Sequence, residues 1–481
     1  MGKKIAIVGA GVGGMATAAR LAYGGHSVEV FEKLPECGGR AHIIRDAGFA
    51  FDTGPSFVLM PDFFEELFSS CGEKLADYLE LKVLDTSYTI FYGDGTTFTV
   101  YRDPERTKKE LERIEEGSAS AYEAFLKDTE QVYQNVRPLL YKCFTKQSII
   151  NPRYWGLLAT LKPQQSYWQR VRKYFKSEKL CIAFTFEAMF IGVSPFAAPG
   201  FYSIITYADH VQKISHPMGG MYQIPLAFEK LALQYGAVFN YNAPVREINR
   251  RNGSLALSTA QGTTVADAVV VNADYVYAQG GLLQRPLPSF SYSCSVYLIY
   301  LGLRQRLTGL EHHNLFLSGD VHKNLQQIFV DKQMPSDPSF YVHIPTVTDR
   351  TLAPEGKEIV YILVPVPNMH NSRSPFADAE EGIRNHVFSR LYRETGIDLL
   401  SLTEVEHRFY PQDFITRYNV PYGATFGLSH SLFQSAFFRP PNYDSGIQNL
   451  YYVGASTQPG GGLPPVIASS KIVADLISRR H

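Results

Sequence analysis

A short apolar strand that runs straight into a glycine turn stands at the head of the chain and limits what it can fold into. Ile5-Ala6-Ile7-Val8 leads into Gly9-Ala10-Gly11-Val12-Gly13-Gly14, and a helix of small residues follows. In a βαβ unit, Gly9 allows the tight turn, Gly11 lets backbone approach phosphate oxygens, and Gly14 permits close packing of helix on strand. The helix opening near Gly13 points its partially positive end at a diphosphate. Ser27-Val28-Glu29-Val30-Phe31 then ends on Glu32, where a carboxylate reaches a ribose 2′-hydroxyl and repels a 2′-phosphate. A glycine fingerprint alone says little; strand, glycines, helix and acid in this order predict a dinucleotide site.

A second strand-then-glycine phrase closes the chain. Leu450-Tyr451-Tyr452-Val453 is followed by Gly454, then Gly460-Gly461-Gly462-Leu463-Pro464-Pro465-Val466. One such loop holds a pyrophosphate. A distant second one predicts that the tail folds back onto the same ligand.

At 481 residues the chain exceeds one simple core. No repeat or Gly/Ser-rich linker divides it, so the expected domains interleave. Residues 1–75, 215–285 and 440–481 are assigned to an α/β, Rossmann-like domain with a parallel sheet and helices. Residues 76–103 and 286–439 are assigned to a second, mixed-sheet domain for the substrate, and 104–214 to a helical, membrane-facing subdomain. Within these, alternation over 80–101 around Asp94-Gly95 predicts a hairpin. Val296–Leu301 and Ile359–Val366 read as strands, 376–396 as a helix, and Val466–Ile477 as the closing helix.

Charge and cysteine usage exclude several functions. Forty-six Lys and Arg balance 46 Asp and Glu, so no field draws the chain to nucleic acid. The five cysteines are scattered without C-x-x-C and read as thiols in a reducing compartment, not as a metal site. No run of 18 apolar residues predicts a spanning helix, and the glycines after Lys3-Lys4 argue against a signal peptide. His312-His313 is expected at the surface or in a turn, since neighbours on a strand face opposite ways. No metal ligand set emerges. An aromatic share of 13% suits either a large apolar ligand or aromatic cores.

The opening motif with Glu32, then Gly38-Gly39-Arg40 and Asp52-Thr53-Gly54-Pro55, resembles the flavin amine oxidase and carotenoid desaturase superfamily. Pro217-Met218-Gly219-Gly220-Met221, Ala353-Pro354-Glu355-Gly356 and the closing phrase Val453–Pro464 narrow it. They are similar to bacterial phytoene and dehydrosqualene desaturases, across nearly the whole chain. Two positions depart: Gln458 stands where such enzymes usually have His, and Pro465 where a small or apolar residue is common.

The resemblance implies FAD. Its pyrophosphate would lie on Gly9, Gly11, Gly13 and Gly14, its ribose on Glu32 with Lys33 beside it, and its adenine on the backbone of Val245. Gly38, Gly39, Arg40, Gly54 and Pro55 would line the path to the flavin, and Gly454, Gly462, Pro465 and Val466 its far end. The implied reaction is dehydrogenation of a linear isoprenoid such as phytoene or dehydrosqualene, with a hydride passing to flavin N5 and oxygen or quinone as final acceptor. A carotenoid oxygenase or end-group desaturase, and a non-redox escort for prenylated proteins, are the alternatives. Glu187, an acid within apolar Ala183–Ile191, is the proton acceptor to test, though a hydrogen-bonded core role fits it too. Trp155 and Trp168 beside Arg170, Arg172, Lys173, Lys176 and Lys179 suggest that residues 140–180 dock on a membrane. The expected location is the cytoplasm, peripherally on the inner face of the cell membrane.

Overall fold

A computed structural model describes residues 2–145, 148, 151, 156, 161–373 and 376–479. Its first layer is a parallel sheet of five strands in the order Leu450–Tyr452, Ala268–Val271, Lys4–Val8, Ser27–Phe31, Val238–Asn240. The central strands are short apolar runs buried on both faces, as a covered parallel sheet requires. The helix Val12–Tyr23 packs between this sheet and the helices Gln223–Gln234 and Leu463–Arg479. It is apolar nearly all round because neighbours cover it nearly all round. The closing helix starts at Leu463, three residues before the expected point, with Pro464 and Pro465 in its first turn. There their missing N–H groups cost nothing.

A mixed sheet of seven strands forms the second layer, in the order Thr403–Phe409, Ser295–Leu303, Glu358–Val366, Phe340–His343, His313–Phe316, Thr86–Phe91, Thr97–Tyr101. The predicted hairpin supplies the last two strands. Ser295–Leu303 is buried along its whole length. On one side Ile299 and Leu301 meet Val387 and Leu391 of the helix Phe376–Thr395; on the other Leu298 and Tyr300 meet Phe49 and Phe51.

Two features escaped sequence reading. Glu247–Arg251, Ser254–Thr259 and Gly262–Ala266 form a small antiparallel sheet. Its first turn puts Asn252 at φ 48° and Gly253 at φ 84°, the positive pair that a tight hairpin prefers. The 104–214 segment is helical early, in Pro104–Ile114 and Ser118–Val136, and later breaks into short turns.

Candidate active site

Ligands of open parallel sheets bind beyond the carboxyl ends of the strands. Here four strands release their functional residues at that edge: Gly9 after Val8, Glu32 after Phe31, Asn272 after Val271, and Gly454 just past Tyr452. Asn272, which sequence reading missed, knits them together. Its Nδ2 donates to the Val453 carbonyl at 3.1 Å, and its Oδ1 would stand 2.7 Å from a Cβ on Gly11. A Cβ on Gly14 would lie 2.2 Å from the Gly9 carbonyl oxygen, so only glycine lets helix and turn meet. A Cβ on Gly13 would lie 3.0 Å from Val466. The two ends of the chain therefore touch across one cradle.

Gly9, Gly11, Gly13, Glu32, Lys33, Gly38, Gly39, Arg40, Gly54, Pro55, Val245, Gly454, Gly462, Pro465 and Val466 all line a single cavity of about 830 Å³. Gly14 does not; it serves the packing just described. Glu32 is buried, and burial raises its pKa, yet the Ala10 and Leu34 N–H groups donate to its two oxygens at 2.7 and 2.9 Å and favour the anion. Lys33 Nζ donates to Asn419 Oδ1 at 3.1 Å and to the Thr416 carbonyl at 3.2 Å. Arg40 Nη1 donates to the Thr425 carbonyl at 2.8 Å, which leaves the rest of its fork to face the cavity.

The same cavity continues as an apolar channel walled by Phe57, Phe186, Phe190, Phe201 and Phe426. Phe433 and Phe438 also line it while being 76% and 49% exposed. These two mark a rim open to the outside. His430, buried at the wall, accepts the Gly461 N–H on Nε2 at 3.0 Å, and burial holds its pKa well below the usual value. A neutral imidazole thus stands at the second glycine loop, at a position that no motif marks. Gln458 also borders the cavity, but its side-chain amide is taken up by the Phe144 and Arg439 backbone.

The structure does not bring Glu187 to the cavity. It is fully buried and accepts hydrogen bonds from the Tyr167 and Thr206 hydroxyls, each at 2.8 Å. Burial and neighbouring Asp209 raise its pKa well above the carboxylate range. His312 and His313 are also buried, contrary to expectation. Both faces of the sheet are covered where they sit, by His216 on one side and Phe57 on the other. Burial keeps both imidazoles neutral. Of the membrane-docking residues, Arg170 is committed to Asp128 at 2.7 Å and Lys179 to Asp94 at 2.5 Å. Trp168 lines the channel, Arg172, Lys173 and Lys176 are exposed, and Trp155 lies outside the described residues. Among the described residues, no helix is long and apolar enough to cross a membrane.

A cradle at four strand ends, closed by a returning C-terminal loop and opening into an apolar channel, defines a flavoprotein oxidoreductase. Residues 12–478 match the family of flavin-containing amine oxidoreductases, and the chain belongs to it. It is 38% identical to a zeta-carotene-forming phytoene desaturase of Myxococcus xanthus, over 98% of this chain and 93% of that one. It is 35% identical to a 4,4′-diapophytoene desaturase (4,4′-diaponeurosporene-forming) of Staphylococcus haemolyticus, over 98% of each. Cyclohexylamine oxidase from Brevibacterium oxydans shares the fold, with a TM-score of 0.64 at 14% identity over 100% of this chain and 99% of that one. The protein is an FAD-dependent oxidoreductase. The residues present fit the cofactor: a glycine cradle that side chains would fill, a buried acid for the ribose, a cationic fork, and a helix N-terminus at the far end.

Proposed function

We propose that the protein desaturates a linear isoprenoid of the phytoene or 4,4′-diapophytoene type. The observation that carries this reading is the continuity of the dinucleotide cradle with an apolar, aromatic-walled channel whose lining includes Phe433 and Phe438. FAD bound in the cradle supplies the acceptor for the hydride lost from a saturated C–H bond. The chain's own residues do the rest by position. Phe57 and Phe426 face the channel and exclude water, so that a cation left on the polyene is not captured as an alcohol. A long unfunctionalised hydrocarbon needs shape and dispersion contacts more than hydrogen bonds, and this wall offers those.

Such a substrate resides in lipid, and the exposed rim supports docking on a membrane surface, with a lipid-soluble quinone or oxygen taking the electrons. Five free cysteines support a reducing interior, hence the cytoplasmic face of the cell membrane. Expression beside a precursor-producing pathway tests the reading. A coloured polyene identified by chromatography is the expected product; colourless precursor recovered unchanged from cells holding flavin-loaded protein overturns it.

A further inference from the structure

Three histidines from distant segments meet in the interior of the protein. His216 comes from the strand Ser215–Pro217, His312 immediately precedes His313–Phe316, and His343 ends Phe340–His343. One ring nitrogen of each lies within 4.8 Å of the others, and all three rings are buried. The Nε2 atoms of His312 and His343 are 2.9 Å apart. Neither ring nitrogen of His216 has a hydrogen-bond partner, although the residue is fully buried. The Oδ2 of Asp349, itself buried, stands 3.8 Å from His216 Nε2.

We propose that this cluster is a closed structural site for a zinc-class divalent ion, held by His216, His312 and His343, with Asp349 as fourth ligand. Two ligand atoms each about 2.0–2.1 Å from a tetrahedral ion stand about 3.3 Å apart. The His312–His343 separation of 2.9 Å and the His216–Asp349 separation of 3.8 Å fall on either side of that value, while the three rings' nitrogens spread over as much as 4.8 Å, so ion binding draws the rings together and swings Asp349 in from beside His216. Three imidazoles and a carboxylate suit zinc better than magnesium or calcium. Binding through both Nε2 atoms requires the ring protons on Nδ1, and Thr348 Oγ1 stands 2.7 Å from His312 Nδ1 to accept one. Asp349 is fixed in turn by the Gly219 N–H at 2.5 Å and by Thr351.

Among the described residues, the second such group, Glu187, Asp209 and His210, has unpartnered carboxylate oxygens but no free imidazole. Both ring nitrogens of His210 are already paired, with the Tyr88 and Tyr122 hydroxyls. The histidine site has a structural consequence. His216 lies just before the Gly219-Gly220 turn, after which Asp52 accepts the Met221 and Tyr222 N–H groups. His343 belongs to the seven-stranded sheet, and His312 stands at the start of one of its strands. The ion would pin the cofactor-binding part of the chain to the wall of the substrate channel.

The test uses the flavin-loaded protein produced in minimal medium with Zn(II) or, separately, Co(II), and purified without chelators. Metal is counted by plasma mass spectrometry and flavin by absorbance on the same samples. The wild type is expected to carry about one ion per chain, and the Co(II) form to show the visible bands of tetrahedral coordination. His343→Gln and His216→Asn are each expected to hold at least about tenfold less metal with flavin retained, whereas exposed His322→Gln keeps it. Wild type holding no more metal than the His322→Gln, His343→Gln and His216→Asn proteins, without Co(II) bands, overturns the site and leaves a neutral hydrogen-bonded histidine cluster. Should a variant fail to fold, the metal count and Co(II) spectrum of the wild type decide. No isoprenoid enters the measurement, so its outcome is separate from that of the desaturase reading.

Discussion

The side-chain amide of Gln458 grips both backbone groups of Phe144: Oε1 accepts the Phe144 N–H at 2.6 Å, and Nε2 donates to the Phe144 carbonyl at 3.2 Å. The same Nε2 donates to the Arg439 carbonyl at 3.1 Å. Family resemblance leads one to expect His here, but an imidazole cannot offer an acceptor and two diverging donors from one side-chain end. Gln458 therefore ties the second glycine loop to the segment that runs past the channel, while His430 provides the imidazole at that loop.

Removing this clamp has a calculable cost. Gln458→Ala removes three buried hydrogen bonds to the Phe144 and Arg439 backbone, at about 1–3 kcal/mol for each group that finds no other partner. We expect a lower midpoint in thermal melts and release of flavin at a lower temperature. Gln458→His should restore only part of the loss. An unchanged midpoint for Gln458→Ala would show that the surroundings re-pair these groups unaided.

Glu32 makes its own backbone bonds while facing the cavity, so its charge state matters for binding. Glu32→Gln keeps the shape but turns an amide NH₂ towards one of two N–H donors, Ala10 or Leu34. One mismatched buried pair and a weaker acceptor for the ribose together predict a loss of FAD affinity of about tenfold to a hundredfold. Fluorescence titration of the apoprotein with FAD measures it; an affinity equal to wild type would remove Glu32 from cofactor recognition.

Glu187 and Asp209 give the fold a pH signature. Burial raises Asp209 from 3.8 to about 7, and Glu187 is raised as well. The native state therefore keeps protons that the unfolded chain has already lost over that range. The stability that Asp209 contributes is complete below about pH 4 and is lost as pH climbs through about 7, and Glu187 adds a loss of the same sign. Asp209→Asn, neutral throughout, should flatten this slope and raise the melting midpoint at pH 8. Because Glu187 does not reach the cavity, Glu187→Gln should leave substrate-dependent flavin reduction within about twofold, whereas a working base would cost about 10²–10⁴. A large drop in that rate would restore Glu187 to the chemistry.

The cradle was legible because its physics is local: strand, turn, helix and acid follow one another within 32 residues, and the second loop repeats the pattern. The channel and the histidine cluster were not. His216, His312 and His343 share no spacing, and only the pairing of His313–Phe316 with Phe340–His343 brings two of them together. Asn272 carries a weak signal, being the first polar residue after the buried run Ala268–Val271, and strand ends are where ligands bind in such sheets. Glu187 shows a choice that only packing decides. An acid in an apolar run reads as either functional or hydrogen-bonded core, and Tyr167 and Thr206 from elsewhere in the chain hold its Oε2 away from the cavity.

The rim of the channel makes the membrane reading testable at two side chains. Phe433 and Phe438 are both exposed and lie 5.9 Å apart, ring to ring. Inserting each into the acyl boundary of a bilayer removes its apolar surface from water, worth about 1.5–3 kcal/mol per ring at full burial. The exposed Arg172, Lys173 and Lys176 add attraction to anionic headgroups. Phe433→Asp with Phe438→Asp should reduce flotation with anionic liposomes by at least about tenfold, since the loss of both rings exceeds 1.4 kcal/mol. FAD content and the thermal midpoint should stay the same, because neither ring carries the core. If the double variant floats as well as wild type, the docking surface lies elsewhere and the rim is only a port.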